Sequence, residues 1–396
     1  MISAEKKKTG GRGRVPIRRD YLPFGRPNFS SQEISAVVRV LKGGWIGMGG
    51  QVIAFESELS KAVGAPHVVT VNSCTSALFL ALKLHGVGPG DEVVVPSLTW
   101  CSTANAALYL GARPVFCDVD PDTLCATPET VRAAITPRTK AVIVVHYGGL
   151  AIDVSAVRAA LPRRVALIED AAHAFGARYP NGKPVGSSGN IVCFSFYANK
   201  NLSTGEGGAL ALFDAGQADR ARSLRQHGLQ IDAWKRFSNP RVSLFDGALD
   251  VLGYKMNYTD LQAALGRVQL KRQPELVKRR LQIAKIYERE LARITPRFEP
   301  LAGQDGPVHA RHLYVVKYPS GIRKSRNQFF LDLRARNVGV SIHYAPLHGM
   351  SLYGPSTHVR LPNTDAVAGR ILTLPISASM TRKDAEYVIA MIRDCL

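Results

Sequence analysis

One lysine stands where packing gives little reason for a cation. Lys200 occurs in the stretch Ser195–Gly208, which reads SFYANKNLSTGEGG. The segments NIVCFSF before it and ALALF after it have the apolar, β-branched and aromatic content of buried strands. We therefore expect Lys200 on a turn between two core strands. Two interpretations fit: a lysine held for Schiff-base chemistry, its pKa lowered by desolvation and nearby positive charge, or a surface lysine on a hairpin.

A second polar cluster ends another predicted strand. Val165–Ile168 is the strand, and Glu169 and Asp170 fall at its carboxyl end, where open α/β sheets bind ligands. Asp170, then His173, then Lys200 fit a pyridoxal phosphate (PLP) site, which needs an amine to form an imine and an anion to keep the pyridine nitrogen protonated. Taken singly, Asp170 also suits a helix N-cap and His173 a core position. The three together favour the cofactor.

A helix start offers a place for the cofactor phosphate. The predicted strand His67–Val71 leads directly into NSCTSALFLALKLHG, so Ser73–Ser76 form a helix N-terminus, where backbone N–H groups and the helix dipole favour an anion. Ordinary N-capping by Ser73 or Thr75 has the same signature. Trp100 lies in a later loop-to-helix passage. Its aromatic ring is able to stack on the pyridine, and the alternative is that it is an ordinary core tryptophan.

Several of these segments together resemble one protein family. SFYANKNLSTGEGG, IEDAAHAFGA, PSLTWCSTANAALYLGARPVFCDVD and VVHYGG are similar to motifs of the DegT/StrS family of PLP-dependent nucleotide-sugar aminotransferases, in family order, and the match runs from about Leu22 to the C-terminus. The SLTW and FYANKN segments look closest to 4-aminotransferases acting on 4-keto sugars, such as the enzyme that forms UDP-4-amino-4-deoxy-L-arabinose.

The resemblance implies roles for residues around the cofactor. It maps the family's phosphate-binding turn onto Cys74 and Thr75 and its phosphate-binding serine onto Ser195. Most relatives have a smaller residue at Cys74, but backbone donors do not depend on that side chain. It also implies that Trp100 stacks on the pyridine ring and that His173 helps to position the ring and its phenolic oxygen.

Two further segments enter through the resemblance alone. GYKMNYTDLQAALGRVQL is similar to the segment whose asparagine, here Asn257, reaches the phosphate of the partner subunit's PLP, which implies a homodimer with shared active sites. VSIHYAPLHGMSLYG places His343 and Tyr344 near substrate. The plainer interpretations are an Asn near a helix start, with Thr259 as the cap, and a solvent-facing His343.

The alternation of strands and helices predicts an α/β fold with a parallel or mixed sheet covered on both faces. The resemblance implies the PLP-dependent transferase fold type I, in which a large domain with a mostly parallel central sheet carries a smaller C-terminal α+β domain. We expect a disordered basic tail over 1–20, the PLP-binding domain over 21–266 and the small domain over 267–396. A long helix is expected from about Arg267 to Ile294, and 229–250 is expected to be a loop that closes over substrate.

Composition bounds the remaining possibilities. The 396 residues, of which 46% are hydrophobic, suffice for roughly two domains of ~150 residues. The net charge of +20 comes without a nucleic-acid motif, so we expect a solvated basic surface that helps to collect a sugar diphosphate. No apolar run approaches the ~20 residues of a membrane span, and the N-terminus lacks the apolar core of a secretory signal, so we expect a cytoplasmic protein. The six cysteines show no metal-binding or disulfide pattern.

These observations predict a ping-pong transamination. An amino acid, expected to be glutamate, gives its amino group to PLP held by Lys200, and the amine then passes to the keto group of a nucleotide sugar, with Lys200 as general base and acid. Family members that act as dehydratases have histidine at this position, so the intact lysine favours aminotransfer. Three alternatives stay open: an amino-cyclitol aminotransferase acting on a keto-inositol, a C3 keto-sugar aminotransferase, and a non-catalytic or regulatory member of the fold.

Overall fold

The computed structural model describes residues 16–396 except 231–233, 235–237, 239–248, 250, 307 and 308. Its centre is a seven-stranded sheet in the order β1-β7-β6-β5-β4-β2-β3. All neighbours in this sheet run parallel except β7, which is antiparallel to both β1 and β6. The strands are β1 His67–Val71, β2 Glu92–Pro96, β3 Arg113–Cys117, β4 Thr139–Val145, β5 Ala166–Asp170, β6 Ile191–Ser195 and β7 Gly208–Leu212.

Helices pack on the sheet, and the buried apolar residues of helices and strands form two clusters between them. Strands β2, β6 and β7 are buried at every position, as expected when both faces of the sheet are covered. The helices of this part of the chain are α1 Ser31–Gly43, α2 Gly50–Val63, α3 Cys74–Leu84, α4 Cys101–Leu108, α5 Pro128–Ala134, α6 Val154–Ala160, α7 Ala215–Leu224 and α8 Asp260–Lys271. The predicted mixed α/β sheet is confirmed.

A second, smaller sheet lies in the C-terminal part of the chain. Its strands, β8 Glu299–Pro300, β9 Tyr314–Lys317 and β10 Ile371–Leu374, run antiparallel in the order β10-β9-β8. Helices α9 Gln273–Leu291, α10 Arg326–Ala335, α11 Pro362–Ala368 and α12 Arg382–Cys395 belong to the same region. A separate apolar cluster joins the strands to α9, α10 and α12.

Local sequence signals set several helix ends. Ser30 and Glu33 form a capping box at the start of α1, and Thr381 and Asp384 form one at the start of α12. The predicted continuous helix from Arg267 to Ile294 is wrong, because α8 ends at Lys271 and α9 begins at Gln273. Pro274, in the first turn of α9, lacks an N–H donor and its ring would clash with the carbonyl of a preceding turn.

Other expectations meet the structure only in part. The predicted domain boundary at position 266 falls inside α8 and stays a prediction. Most of the predicted loop over 229–250 and residues 1–15 of the predicted tail lie outside the described residues. Within the described part of the chain, none of the helices is both long enough and apolar enough to cross a bilayer.

Candidate active site

A cavity of about 470 Å³ lies at the carboxyl ends of the parallel strands. The residues proposed from sequence converge on it from separate elements: it is lined by Cys74, Thr75, Trp100, Asp170, His173, Ser195, Lys200, His343 and Tyr344. Lys200 and Asp170 therefore face one compartment, although β5 and the connection that carries the lysine are distant in sequence. This edge of the sheet is where open α/β folds bind ligands.

Asp170 ends β5 and is 5% exposed. The Thr103 hydroxyl donates to its Oδ2 at 2.8 Å, and the backbone N–H of Ala172 donates to its Oδ1 at 3.1 Å. The Cys74 thiol lies 4.0 Å from the same Oδ1. Burial raises the pKa of Asp170, and these hydrogen bonds together with the charge of Lys200 offset only part of the effect. A cation placed in the cavity would stabilise the ionised form.

Lys200 lies in the connection between β6 and β7, as predicted. Its backbone N–H donates to the carbonyl of Tyr197, which forms a tight turn. Its Nζ lies 3.4 Å from Nε2 of His312. Burial lowers the pKa of Lys200 to about 8, and the opposing charge of Asp170 offsets only part of this effect. A substantial fraction of the amine is thus neutral near physiological pH, as a nucleophile or general base requires.

The N-terminus of α3 is held tightly beside this lysine. Ser73 caps the helix by accepting from the backbone N–H of Ser76 at 3.1 Å, while Cys74 and Thr75 line the cavity. A Cβ on Gly208 would lie 2.5 Å from the carbonyl carbon of Ser73, so only glycine lets β7 approach the helix start this closely. The first N–H groups of a helix lack intrahelical partners, and this end attracts an anion.

His173 has both ring nitrogens engaged within the chain. Its Nδ1 accepts from the backbone N–H of Gly148 at 3.3 Å, and its Nε2 lies 2.9 Å from the hydroxyl oxygen of Tyr344. Burial, reinforced by the charge of Lys200, lowers the pKa of His173 well below its usual value, so the ring is neutral. The proton therefore sits on Nε2 and is donated to Tyr344. The expected contact of His173 with a phenolic oxygen of the cofactor stays a prediction.

The rim of the cavity is aromatic. Trp100 is 60% exposed, with its ring centroid 5.9 Å from that of Tyr344. Tyr344 and His343 are half-buried, and Nδ1 of His343 lies 2.9 Å from the hydroxyl of Thr373 on β10. Burial lowers the pKa of His343 to about 3, so this ring is neutral too. The small sheet thus fixes the residues that face the mouth of the cavity.

Asn257 is the one predicted site residue that does not line this cavity among the described residues. Its Nδ2 lies 3.8 Å from Sδ of Met48, and its Oδ1 is buried with no hydrogen-bond partner in the part of the chain that the structure describes. Its predicted contact with the partner subunit's PLP stays a prediction.

Sequence reasoning missed two residues that contact the site. Thr103, on α4, gives Asp170 its shortest hydrogen bond, and its only signal is its position just after Trp100. His312, next to Lys200, comes directly before β9, in a segment read only as part of the C-terminal domain. Both act across long sequence separations, so local pattern does not identify them.

Comparison with known proteins identifies the family of this chain. Residues 27–393 match the DegT/DnrJ/EryC1/StrS aminotransferase family. The chain belongs to this family. It is 42% identical over 388 residues to the spore coat polysaccharide biosynthesis protein SpsC of Bacillus subtilis, a match that covers 96% of this chain and 98% of SpsC.

Solved structures of the family share the fold. The aminotransferase TlmJ from Streptoalloteichus hindustanus superposes with a TM-score of 0.85 at 35% identity, over 95% of this chain and 98% of TlmJ. The putative sugar aminotransferase Spr1654 from Streptococcus pneumoniae, in its PLP form, gives 0.85 at 29% identity over 95% and 98% of the two chains. A form of Spr1654 with pyridoxamine phosphate (PMP) is also known. The predicted fold type I, the PLP cofactor and the sugar aminotransferase activity are confirmed.

The geometry of this chain is consistent with that cofactor. A buried carboxylate with too few donors lies in the same cavity as an amine of lowered pKa, and a close-packed helix N-terminus lines the cavity beside them. These groups match in turn a protonated ring nitrogen, an aldehyde and a phosphate.

Proposed function

We propose that this sugar aminotransferase transfers the amino group of glutamate to the C4 keto group of a nucleotide-linked sugar in two half-reactions. The observation that carries the proposal is the shared cavity of Lys200 and Asp170, in which the amine is partly neutral and the burial of the carboxylate is only partly offset by its neighbours. The same cavity has an aromatic, half-exposed mouth at Trp100, which suits a substrate larger than an amino acid.

Lys200 and Asp170 have different roles in the reaction. When bound, PLP supplies the electron sink that lets a C–H bond next to nitrogen ionise. Asp170 keeps the ring nitrogen protonated, because a buried carboxylate with few donors gains most from an adjacent cation. Lys200, with a pKa of about 8, both accepts and returns a proton near neutral pH, so Nζ moves the proton between the two carbons that exchange it.

The remaining residues hold and orient. The backbone N–H groups of Cys74 and Thr75, at the N-terminus of α3, and the hydroxyl of Ser195 would bind the phosphate, since all three residues line the cavity. Trp100, which also lines the cavity, would stack on one face of the ring. The Ser195 hydroxyl oxygen already accepts from the backbone N–H of Tyr197 at 3.3 Å, which orients its own proton outward.

The substrate side is built from neutral donors. Because Nε2 of His173 donates to the Tyr344 oxygen, the Tyr344 hydroxyl proton is left to donate elsewhere. Burial raises the pKa of Tyr344, so it stays protonated. We assign Tyr344 and His343 to the sugar, whose hydroxyl and keto oxygens are acceptors for such donors.

A dimer and a cytoplasmic site are part of the proposal. Asn257 carries a buried Oδ1 that lacks a partner among the described residues, which is consistent with a group that is completed outside this chain. We propose that its amide reaches the phosphate of the partner subunit's cofactor. We also propose that the enzyme acts in the cytoplasm.

The C4 position rests on the FYANKN and SLTW segments, and the polysaccharide role of SpsC is consistent with a sugar substrate. The test is a half-reaction. Enzyme is loaded with glutamate, excess donor is removed, and a panel of 3-keto and 4-keto nucleotide sugars and keto-inositols is screened for return of the visible band of bound PLP at about 400 nm. Return with 4-keto sugars alone supports the proposal, and return with keto-inositols alone refutes it.

Two lysine variants test the role assigned to Lys200. Lys200→Ala should lose the band and both half-reactions, whereas Lys183→Ala, an exposed lysine of the same chain, should keep both. A Lys200→Ala protein that still transfers the amino group would contradict the assignment.

A further inference from the structure

A buried histidine touches the lysine from behind the cavity. Nε2 of His312 lies 3.4 Å from Nζ of Lys200, and His312 is only 3% exposed. Its ring packs on that of His173, with centroids 4.6 Å apart and planes inclined by 34°. The contact is long for a hydrogen bond, but catalytic contacts tighten when substrate binds. His312 therefore touches both the proposed proton carrier and the ring that orients Tyr344.

The surroundings of the other ring nitrogen, Nδ1, do not fix which nitrogen of His312 carries the proton. Nδ1 is buried and has no hydrogen-bond partner in the part of the chain that the structure describes. This differs from His173, whose Nδ1 is pinned by the N–H of Gly148. With its proton on Nδ1, His312 presents a lone pair on Nε2 to Lys200. Both the neutral amine and the ammonium have an N–H to donate, so the contact persists while the lysine gains and loses a proton.

The backbone of His312 is anchored by a buried arginine. Nη1 of Arg280 donates to the carbonyl oxygens of Arg311 at 3.3 Å, His312 at 3.5 Å and Ile376 at 3.2 Å, and Arg280 is 4% exposed. Among the described residues no carboxylate pairs with this guanidinium. Burial, reinforced by the charges of Lys200 and Arg280, lowers the pKa of His312 well below its usual value, so its ring is neutral.

We propose that His312 is a positioning residue for the Lys200 amine. Its Nε2 accepts a hydrogen bond from Nζ whenever the lysine is released from the cofactor, and it directs the lone pair of the amine toward the reacting carbon. This inference rests on the proposed role of Lys200. A general base misplaced by about 1 Å loses about 100-fold in rate, so a fixed acceptor behind the amine has a measurable effect.

Two variants separate the hydrogen bond from packing. His312→Phe keeps an aromatic ring on His173 but removes the acceptor, whereas His312→Gln places an oxygen close to the position of Nε2. The first readout is exchange of the α-proton of amino acid donors with deuterium in the PLP-loaded enzyme, which follows proton transfer by Lys200 without any sugar. We expect His312→Phe to be about 10- to 100-fold slower and His312→Gln to stay within about 3-fold of the wild type.

The second readout needs no cofactor. The pH dependence of Lys200 acetylation in the apoprotein, followed by mass spectrometry, gives the pKa of this lysine, which is about 8 in the wild type. An acceptor stabilises the ammonium more than the amine, so His312→Phe should lower this pKa by roughly one unit. The charged and titratable groups that share this environment with Lys200 are unchanged in the variant: Cys74, Asp170, His173, Arg280 and His343.

His309→Asn is the matched control. His309 is also buried in this segment, and its Nδ1 accepts from the N–H of Arg311 at 2.8 Å, a bond that an asparagine oxygen retains. This variant should exchange at the wild-type rate. If His312→Phe does not fold, His312→Gln against His312→Asn, whose oxygen falls near Nδ1 instead, gives the same comparison.

The outcomes are distinct. Wild-type exchange in His312→Phe together with an unchanged Lys200 pKa overturns the inference, and so does equal slowing in His312→Phe and His312→Gln with no pKa change. If the wild-type enzyme exchanges no α-proton of any amino acid, the proposed function fails, while the apoprotein pKa comparison still decides the role of His312.

Discussion

Two adjacent acids on β5 should respond in opposite ways to the same chemical change. Glu169 and Asp170 are both buried, and because successive side chains of a strand point to opposite faces, they lie in different environments. We predict that Asp170→Asn stabilises the apoprotein at neutral pH and that Glu169→Gln destabilises it. The difference follows from the number of donors that each carboxylate receives.

Asp170 receives one hydroxyl, from Thr103, and one backbone N–H, from Ala172, besides a weak contact at 4.0 Å from the Cys74 thiol. An amide keeps both bonds: its oxygen accepts from Ala172, and its NH2 donates to Thr103, whose hydroxyl turns to the Thr99 oxygen 3.0 Å away. The folded pKa of Asp170 is raised, so its contribution to stability is present at low pH and is lost as pH rises through that pKa. The variant escapes this loss, and we expect a gain of about 1 kcal/mol.

Glu169 receives two donors on each oxygen. His146 Nε2 at 2.8 Å and the Tyr179 hydroxyl at 2.5 Å donate to Oε2, and the Ser188 hydroxyl at 2.5 Å and Asn190 Nδ2 at 2.8 Å donate to Oε1. Burial alone raises the pKa of Glu169, but the hydrogen bonds, led by that of His146, outweigh it and lower the pKa. This stability is present above the unfolded pKa and is lost as pH falls.

Glutamine cannot reproduce the arrangement around Glu169, because one of its two ends is itself a donor. His146 cannot adapt, since its Nδ1 already accepts from the N–H of Ile152. Charge-assisted hydrogen bonds contribute about 1.5–3 kcal/mol each and neutral ones about 0.5–1.5 kcal/mol. We therefore expect Glu169→Gln to lose about 2 kcal/mol, and the two variants to differ by about 3 kcal/mol.

Thermal denaturation of the apoproteins at pH 8, with and without added PLP, measures whether each variant is more or less stable than the wild type. Apo Asp170→Asn should melt above the wild type and Glu169→Gln below it. Added PLP should reverse the order of Asp170→Asn and wild type, since only the carboxylate gains from the protonated ring. An apo Asp170→Asn protein that melts below the wild type would refute the claim that the burial of this charge is only partly compensated.

Three further outcomes are expected. Trp100→Ala should change the free energy of unfolding by less than about 0.5 kcal/mol, because Trp100 is 60% exposed, yet it should weaken PLP binding in a fluorescence titration. Gly208→Ala should destabilise the apoprotein by about 1–3 kcal/mol and weaken PLP binding, because its Cβ would lie 2.5 Å from the Ser73 carbon, whereas Gly47→Ala, with open space around it, should do neither. In apo Asp170→Asn the acetylation midpoint of Lys200 should fall below the wild-type value of about 8, since the charge of Asp170 raises the pKa of that lysine.

Local chemistry made much of the fold and part of the site predictable. The strands β5, β6 and β7 are read from apolar runs, and the caps of α1 and α12 from a hydroxyl residue three positions before an acid. Lys200 stands out because it lies on a polar turn between two apolar strands, and Asp170 because it ends another apolar strand. Pro274 also indicates the break at Arg272 between α8 and α9, but the residues on both sides of it follow a helical pattern, which predicts one continuous helix.

What the sequence by itself determined is therefore which residues carry reactive groups and which segments form strands and helices, because both follow from side-chain type and short-range period. Only the tertiary structure decided their environments: that Thr103 bonds Asp170, that His312 touches Lys200, and that Glu169 has more and stronger donors than the neighbouring Asp170. These contacts join residues far apart in the chain, and their energies depend on burial and distance, which no local pattern encodes.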